Sequence, residues 1–266
     1  MVRRAAILAL TAIVLALLCA DWIAPHSAET QFRDDAAARP SRQYPLGTDA
    51  LGRDRLSRLL YGGRISMVMA PLAALLAVSL AVVAGLTAGC LGGWWERAAA
   101  TLTDLCLSLP WLFLLLAVRA LLPLNVGPEA SILVTFALLG LLGWAGPSRI
   151  MLAAVKRHLS SDFVLAARAA GCHPLRIALV HLLPHLLPVA AAQFWVTAPA
   201  FLLSEANLGL LGLGVAEPTP SWGNLLRELE NLSQVARCPW IAAPLVALFL
   251  VIGCSHLVTA AAEYES

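Results

Sequence analysis

The sequence predicts an all-α, polytopic membrane protein. Sixty per cent of its 266 residues are apolar and 13% are charged, and its mean hydropathy is +0.79. These values lie outside the range of soluble domains. Several apolar runs of about 20 residues are each long enough to cross a hydrocarbon core roughly 30 Å thick. The net charge of +2 gives no sign of a nucleic-acid partner. The six cysteines form no C-x-x-C pair and lie mostly inside apolar runs, where cysteine acts as a small hydrophobe.

Six spans are predicted. Arg3 and Arg4 precede the apolar run Ala5–Ala20, which resembles a signal peptide. Leu18-Cys19-Ala20 lacks a small-x-small cleavage pattern, so residues 1–24 read as an uncleaved first span. Residues 25–64 form a polar connection, made irregular by Pro40 and Pro45, whose end (51–64) has the charge density of a short amphipathic helix at the membrane surface. The remaining five spans fall in residues 65–266. The second covers about Ile65–Gly89, where Gly85 and Gly89 make a G-x-x-x-G pair suited to close helix packing. Trp94 and Trp95 follow at an interfacial position. The third covers Ala98–Leu122, the fourth Ser131–Arg149, the fifth Leu186–Leu211 and the sixth Trp240–Ala262.

Six spans put both termini on one side, but charge does not say which. With the N-terminus inside, the inner segments hold eight basic residues and the outer segments nine. The positive-inside rule therefore leaves orientation open.

Between the fourth and fifth spans lies a polar hairpin, about 150–185, centred on Asp162–Pro184. Ser160, Ser161 or Asp162 can cap a first helix. Gly171 suits the left-handed residue beyond its end, and Pro174 suits the first position of a second helix. Phe163, Ala166, Ala167 and Ala170 share one face of the first helix, and small residues there let another backbone approach closely.

The motifs of catalysis are absent. The only lysine, Lys156, stands between Val155 and Arg157, so no Gly-Lys-Ser/Thr phosphate loop exists. G-x-S-x-G and H-E-x-x-H are missing too. His181 and His185 have helical ligand spacing, but Pro184 intervenes and no acid is near, so no metal is assigned. Charges inside the spans carry more weight. Asp104 in the third span and Glu205 in the fifth are candidates for lining a translocation path or bonding between helices. Arg119, near the outer end of the third span, can snorkel to the interface.

Ala166-Ala167-x-x-x-Gly171, followed by His181 and Leu183-Pro184, resembles the cytoplasmic EAA loop of ABC importer permeases, with Leu165 in place of the usual leading Glu. Three further stretches resemble the C-type permease subunit of dipeptide, oligopeptide and nickel importers. These are Asp21-Trp-Ile-Ala-Pro with Gln31-Phe-Arg-Asp34, then Leu46–Ser66, then Ser204–Gly214 with Pro218–Leu225. The C-terminal run His256–Ser266 departs from the charged tail usual in that family.

The resemblance implies a type I permease in a bacterial inner membrane with both termini cytoplasmic. It would carry no catalytic residue and no cofactor. ATP and Mg would be held by two ATP-binding partner subunits, docked on Phe163, Ala166, Ala167, Arg168, Ala170 and Gly171. A homologous B-type permease would complete the pore, and an extracytoplasmic binding protein would deliver cargo. Small peptides are the implied solutes, with nickel chelates and glutathione as alternatives. A secondary transporter or channel is the rival reading within transport, but no inverted repeat or acidic cluster supports it. A membrane-embedded enzyme would need a constellation that is missing.

Overall fold

The computed structural model describes residues 2–123 and 126–263. The end of the atypical C-terminal run, residues 264–266, lies outside the described residues. Among the described residues the longer helices are α1 (Val2–Leu18), α2 (Arg55–Leu91), α3 (Gly93–Ser108), α4 (Trp111–Leu121), α5 (Pro128–Leu142), α6 (Ala145–Leu159), α7 (Asp162–Ala169), α8 (Pro174–Leu210) and α9 (Ala243–Glu263), with shorter helices and turns between them.

Among the described residues four stretches are long and apolar enough to cross a membrane: Arg55–Leu91, Pro128–Leu159, Pro174–Leu210 and Pro239–Thr259. A fifth arises if α3 and α4 are one span, although they meet at 91°. The expected straight third span is therefore broken, and Pro110 is the cause. It forces Leu109 to φ −90°, ψ 135°, the extended conformation usual before proline. The fourth span runs past Arg149 to Leu159. The first, α1, has 17 residues.

Residues 51–64 do not form a separate surface helix. From Arg55 onward they are the opening turns of α2, which is continuous for 37 residues through Gly62, Gly63 and Pro71. Its start is fixed by Asp54, whose carboxylate accepts from the Ser57 N–H at 3.0 Å. Asp49 organises the turn before it, accepting from Leu51 N–H at 2.9 Å and Arg53 N–H at 2.8 Å.

The chain divides into two compact units. The first comprises Met1–Pro71, Val118–Phe136 and Pro199–Ser266; in it α1 packs along α9. The second comprises Leu72–Ala117 and Ala137–Ala198. There Gly85 and Gly89 bring α2 against α6 so closely that a Cβ on Gly85 would lie 2.6 Å from Met151 Cβ, and one on Gly89 2.4 Å from Val155 Cγ1. The G-x-x-x-G pair therefore makes a helix contact. Trp94 and Trp95 are exposed.

Candidate functional site

The hairpin follows α6 in the second unit. Ser161 is the N-cap of α7, but its hydroxyl turns back to the His158 carbonyl, so the position is right and the side-chain bond is not the expected one. At the other end Gly171 has φ +75°. Its N–H donates to the Arg168 carbonyl, and the Cys172 N–H donates to Ala167, both at 3.0 Å. These are the two bonds of a Schellman motif. His173 then caps the next helix, Nδ1 accepting from Leu175 N–H at 3.3 Å, with Pro174 in its first turn.

The second helix does not stop. It enters α8 through a π turn, Ile177–Leu182, where the Leu183 N–H reaches back five residues to Ala178. That wider turn lies just before Pro184, whose missing N–H and ring would strain a regular helix.

The hairpin's inner side is locked. Val164, Ala167, Ile177, Leu182 and Leu186 are buried with Leu86 and Val155 in one cluster, against which Phe163 and Cys172 pack. Phe163 also stacks on the His185 ring at 4.7 Å, and His158 approaches both. The expected alanine face is thus split. Phe163 and Ala167 turn inward, whereas Ala166, Arg168, Ala170 and Gly171 are exposed, with Leu165 and Leu175 beside them. The inward face is the one carrying Val164, because a branched apolar side chain outcompetes alanine for burial. His181 and His185 do not form a ligand pair: His185 Nδ1 donates to the His181 carbonyl at 2.8 Å. Among the described residues no three metal-ligating side chains come together. Lys156 pairs with Glu96.

The two intramembrane acids differ. Asp104 lies on the surface, 60% exposed, and faces Arg149 at 3.5 Å across α3 and α6. Glu205 is fully buried in the first unit. The Ser66 hydroxyl donates to its Oε2 at 3.1 Å while accepting from Trp222 N–H at 3.1 Å. Both residues bond between elements. Glu205 abuts Gly223, where a Cβ would meet Oε1 at 2.5 Å, and Gly223 in turn touches Gly209 backbone to backbone. The glycine-rich run at the end of α8 therefore serves close approach.

Arg119 does not snorkel. It is 2% exposed, donating from Nε to the Leu213 carbonyl at 2.9 Å and from Nη1 to Pro123 at 3.3 Å. The bend at Pro110 redirects α4, which is why a straight-span reading misplaces it. Sequence reasoning also missed an ion-pair group in the first unit. Arg53 holds Asp49 and Glu217, each at 2.6 Å, and Arg58 holds Glu217 at 2.9 Å. Burial lowers the Arg53 pKa, but the two carboxylates outweigh it and the net shift is upward. Glu217 is 164 residues from Arg53, so only the density of charge in 49–58 hinted at this group.

Long apolar helices joined by a capped, alanine-rich polar hairpin define a polytopic membrane protein. Sequence comparison narrows the class. Residues 81–264 match the model described as "Binding-protein-dependent transport system inner membrane component". The chain is 34% identical over 241 residues to the "Di/tripeptide transport system permease protein DppC" of Pseudomonas aeruginosa (strain UCBPP-PA14), covering 87% of this chain and 76% of that protein. It is 33% identical over 250 residues to the "Glutathione transport system permease protein GsiD" of Escherichia coli O1:K1 / APEC, covering 94% and 78%. The GsiD protein of Shigella dysenteriae serotype 1 (strain Sd197) is 32% identical over 253 residues, covering 95% and 79%. The chain belongs to the family of binding-protein-dependent transport system inner membrane components, as a permease subunit of an ABC importer.

Proposed function

We propose that this chain is one of two permease subunits of an ATP-driven importer of small peptides and peptide-like solutes, with the Asp162–Pro184 hairpin as the seat of a separate ATP-hydrolysing subunit. The observation that carries this reading is the division of the hairpin. Its inner side is fixed in an apolar cluster and its ends are closed by a Schellman motif and a proline-started helix, while Ala166, Arg168, Ala170 and Gly171 stay exposed. Such an element moves as one piece, so a push on its outer face reaches α8 undamped. Phe163 and Ala167 serve from inside, holding the hairpin to α6 and α8.

The chain contributes no nucleotide chemistry. Its single lysine is engaged with Glu96, and ATP with Mg belongs to two partner subunits. A homologous permease completes the path, and an extracytoplasmic binding protein presents the solute. Counting α1 and the bent α3–α4 pair as crossings gives six, with the termini and the hairpin in the cytoplasm of the bacterial inner membrane. The names of the relatives, di/tripeptide and glutathione permeases, support a solute of that size.

The test is copurification from membranes of the tagged chain, followed by uptake of a labelled dipeptide into proteoliposomes. An ATPase should come with the chain, and uptake should require ATP; uptake by the chain alone would overturn the reading. Orientation is read with residues already present. A membrane-impermeant thiol reagent added to intact spheroplasts should spare Cys172 and reach Cys238, and labelling of Cys172 from outside would invert the topology.

A further inference from the structure

One cavity in the first unit, of about 220 Å³, carries charge that the coupling role does not use. Its lining includes Arg119, Arg227, Glu217 and the backbone of Gly209, Gly212 and Gly214. Arg119 is buried, yet among the described residues both bonds it makes go to neutral carbonyls. A buried guanidinium without a carboxylate is unfavourable unless an anion joins it. Inside a membrane protein such a charge points to a task. Arg227 is exposed, and no carboxylate pairs with it among the described residues. Its head lies over Gly212, where a Cβ would stand 3.5 Å from the guanidinium carbon. Glu217, the one acid in the lining, is already held by Arg53 and Arg58, and Asp49 gives those two arginines a second carboxylate. That group of four is neutral as a whole. The neighbouring Glu228 is taken by Arg55. Among the described residues, two positive charges therefore face the cavity unmatched.

We propose that this cavity binds the carboxylate of a small solute, with Arg119 and Arg227 supplying charge-assisted donors. The proposal rests on the importer reading and deepens it: the carboxylate is the C-terminal group of the peptide in transit. A lipid phosphate shares this chemistry, and the experiment separates the two.

The purified full-length chain is treated with p-hydroxyphenylglyoxal, an arginine reagent, and the Arg227 adduct is measured by mass spectrometry. Alanylalanine should cut the labelling of Arg227 about tenfold at ten times its dissociation constant, whereas alanylalanine amide should not. Arg119→Gln should abolish the shielding and Arg119→Lys should retain part of it. Equal shielding by acid and amide, no shielding at any peptide concentration, or shielding by phosphatidylglycerol alone would overturn the proposal. Because Arg119 also ties two loop carbonyls, the acid–amide comparison on the unsubstituted chain decides the matter even if Arg119→Gln fails to fold. The labelling reads occupancy and not uptake. Its failure leaves the importer reading standing, and absence of an ATPase on copurification removes that reading while leaving the shielding result intact.

Discussion

Ala166 and Ala167 are neighbours with opposite surroundings, and tryptophan at each separates docking from folding. Ala167 is 8% exposed and sits among Val155, Val164, Ile177 and Leu182. An indole there overfills a packed cluster, and such insertions destabilise by about 1–3 kcal/mol. Ala166 is exposed, and a surface substitution away from the core changes stability by no more than about 0.5 kcal/mol. The indole at 166 nevertheless stands in the face offered to the ATPase. Loss of about 1.4 kcal/mol of docking energy lowers the affinity for the ATPase tenfold. Thermal unfolding of the purified permease, ATPase copurification and ATP-dependent dipeptide uptake are measured together. Ala166→Trp should unfold at the parent temperature, lose the ATPase and lose uptake, while Ala167→Trp should unfold earlier. Normal uptake by a well-folded Ala166→Trp would refute the assignment of the docking face.

Gly171→Ala should destabilise the hairpin by about 1–2 kcal/mol, the range for a left-handed residue carrying a Cβ; at φ +75° nothing lies within 4 Å of the added carbon, so the loss is wholly backbone. It is read as faster amide exchange at Cys172, and unchanged exchange would contradict the Schellman closure. Gly89→Val should be among the more destabilising single changes in the second unit, because its Cβ alone would meet Val155 Cγ1 at 2.4 Å. A combined Gly89→Val/Val155→Gly variant should recover part of the lost thermal stability, and no recovery would argue against direct α2–α6 contact. Asp104→Asn should change stability by no more than about 1 kcal/mol, since its pair with Arg149 is exposed on both sides; a larger loss by chemical denaturation would mean that Asp104 has another partner.

The hairpin was legible in the sequence because its determinants are local. Gly171 permits the left-handed turn that other residues resist, Pro174 fixes its own φ, and Ser161 stands where a cap must stand. Which alanine turns inward was not legible. A helix of eight residues offers two nearly equivalent faces, and the choice fell to Ile177, Leu182 and Leu186, which close the cluster from the next element. The partners of Glu205 were hidden for a similar reason: Ser66 is 139 residues away. Arg119 was misplaced because one proline turned its helix through a right angle. The charged stretch 51–64 has the pattern of a surface helix, although much of the charge in and just before it is consumed within the fold, where Asp49 and Asp54 cap turns and Arg53 and Arg58 reach Glu217.

The arginines around Glu217 also bear on how this protein responds to electrolyte. Mobile ions screen attraction between charges standing in water, with a decay length of about 8 Å at physiological strength that shortens as salt is added, and act far less on charges withdrawn from it. The Arg149–Asp104 bridge, open to solvent on both sides, should fade as salt is added. The Arg58–Glu217 link has a guanidinium 2% exposed against a half-exposed carboxylate, and should fade less. Brine would therefore loosen contacts on the surface of α3 and α6 well before it disturbed the clasp that joins residues 49–58 to Glu217.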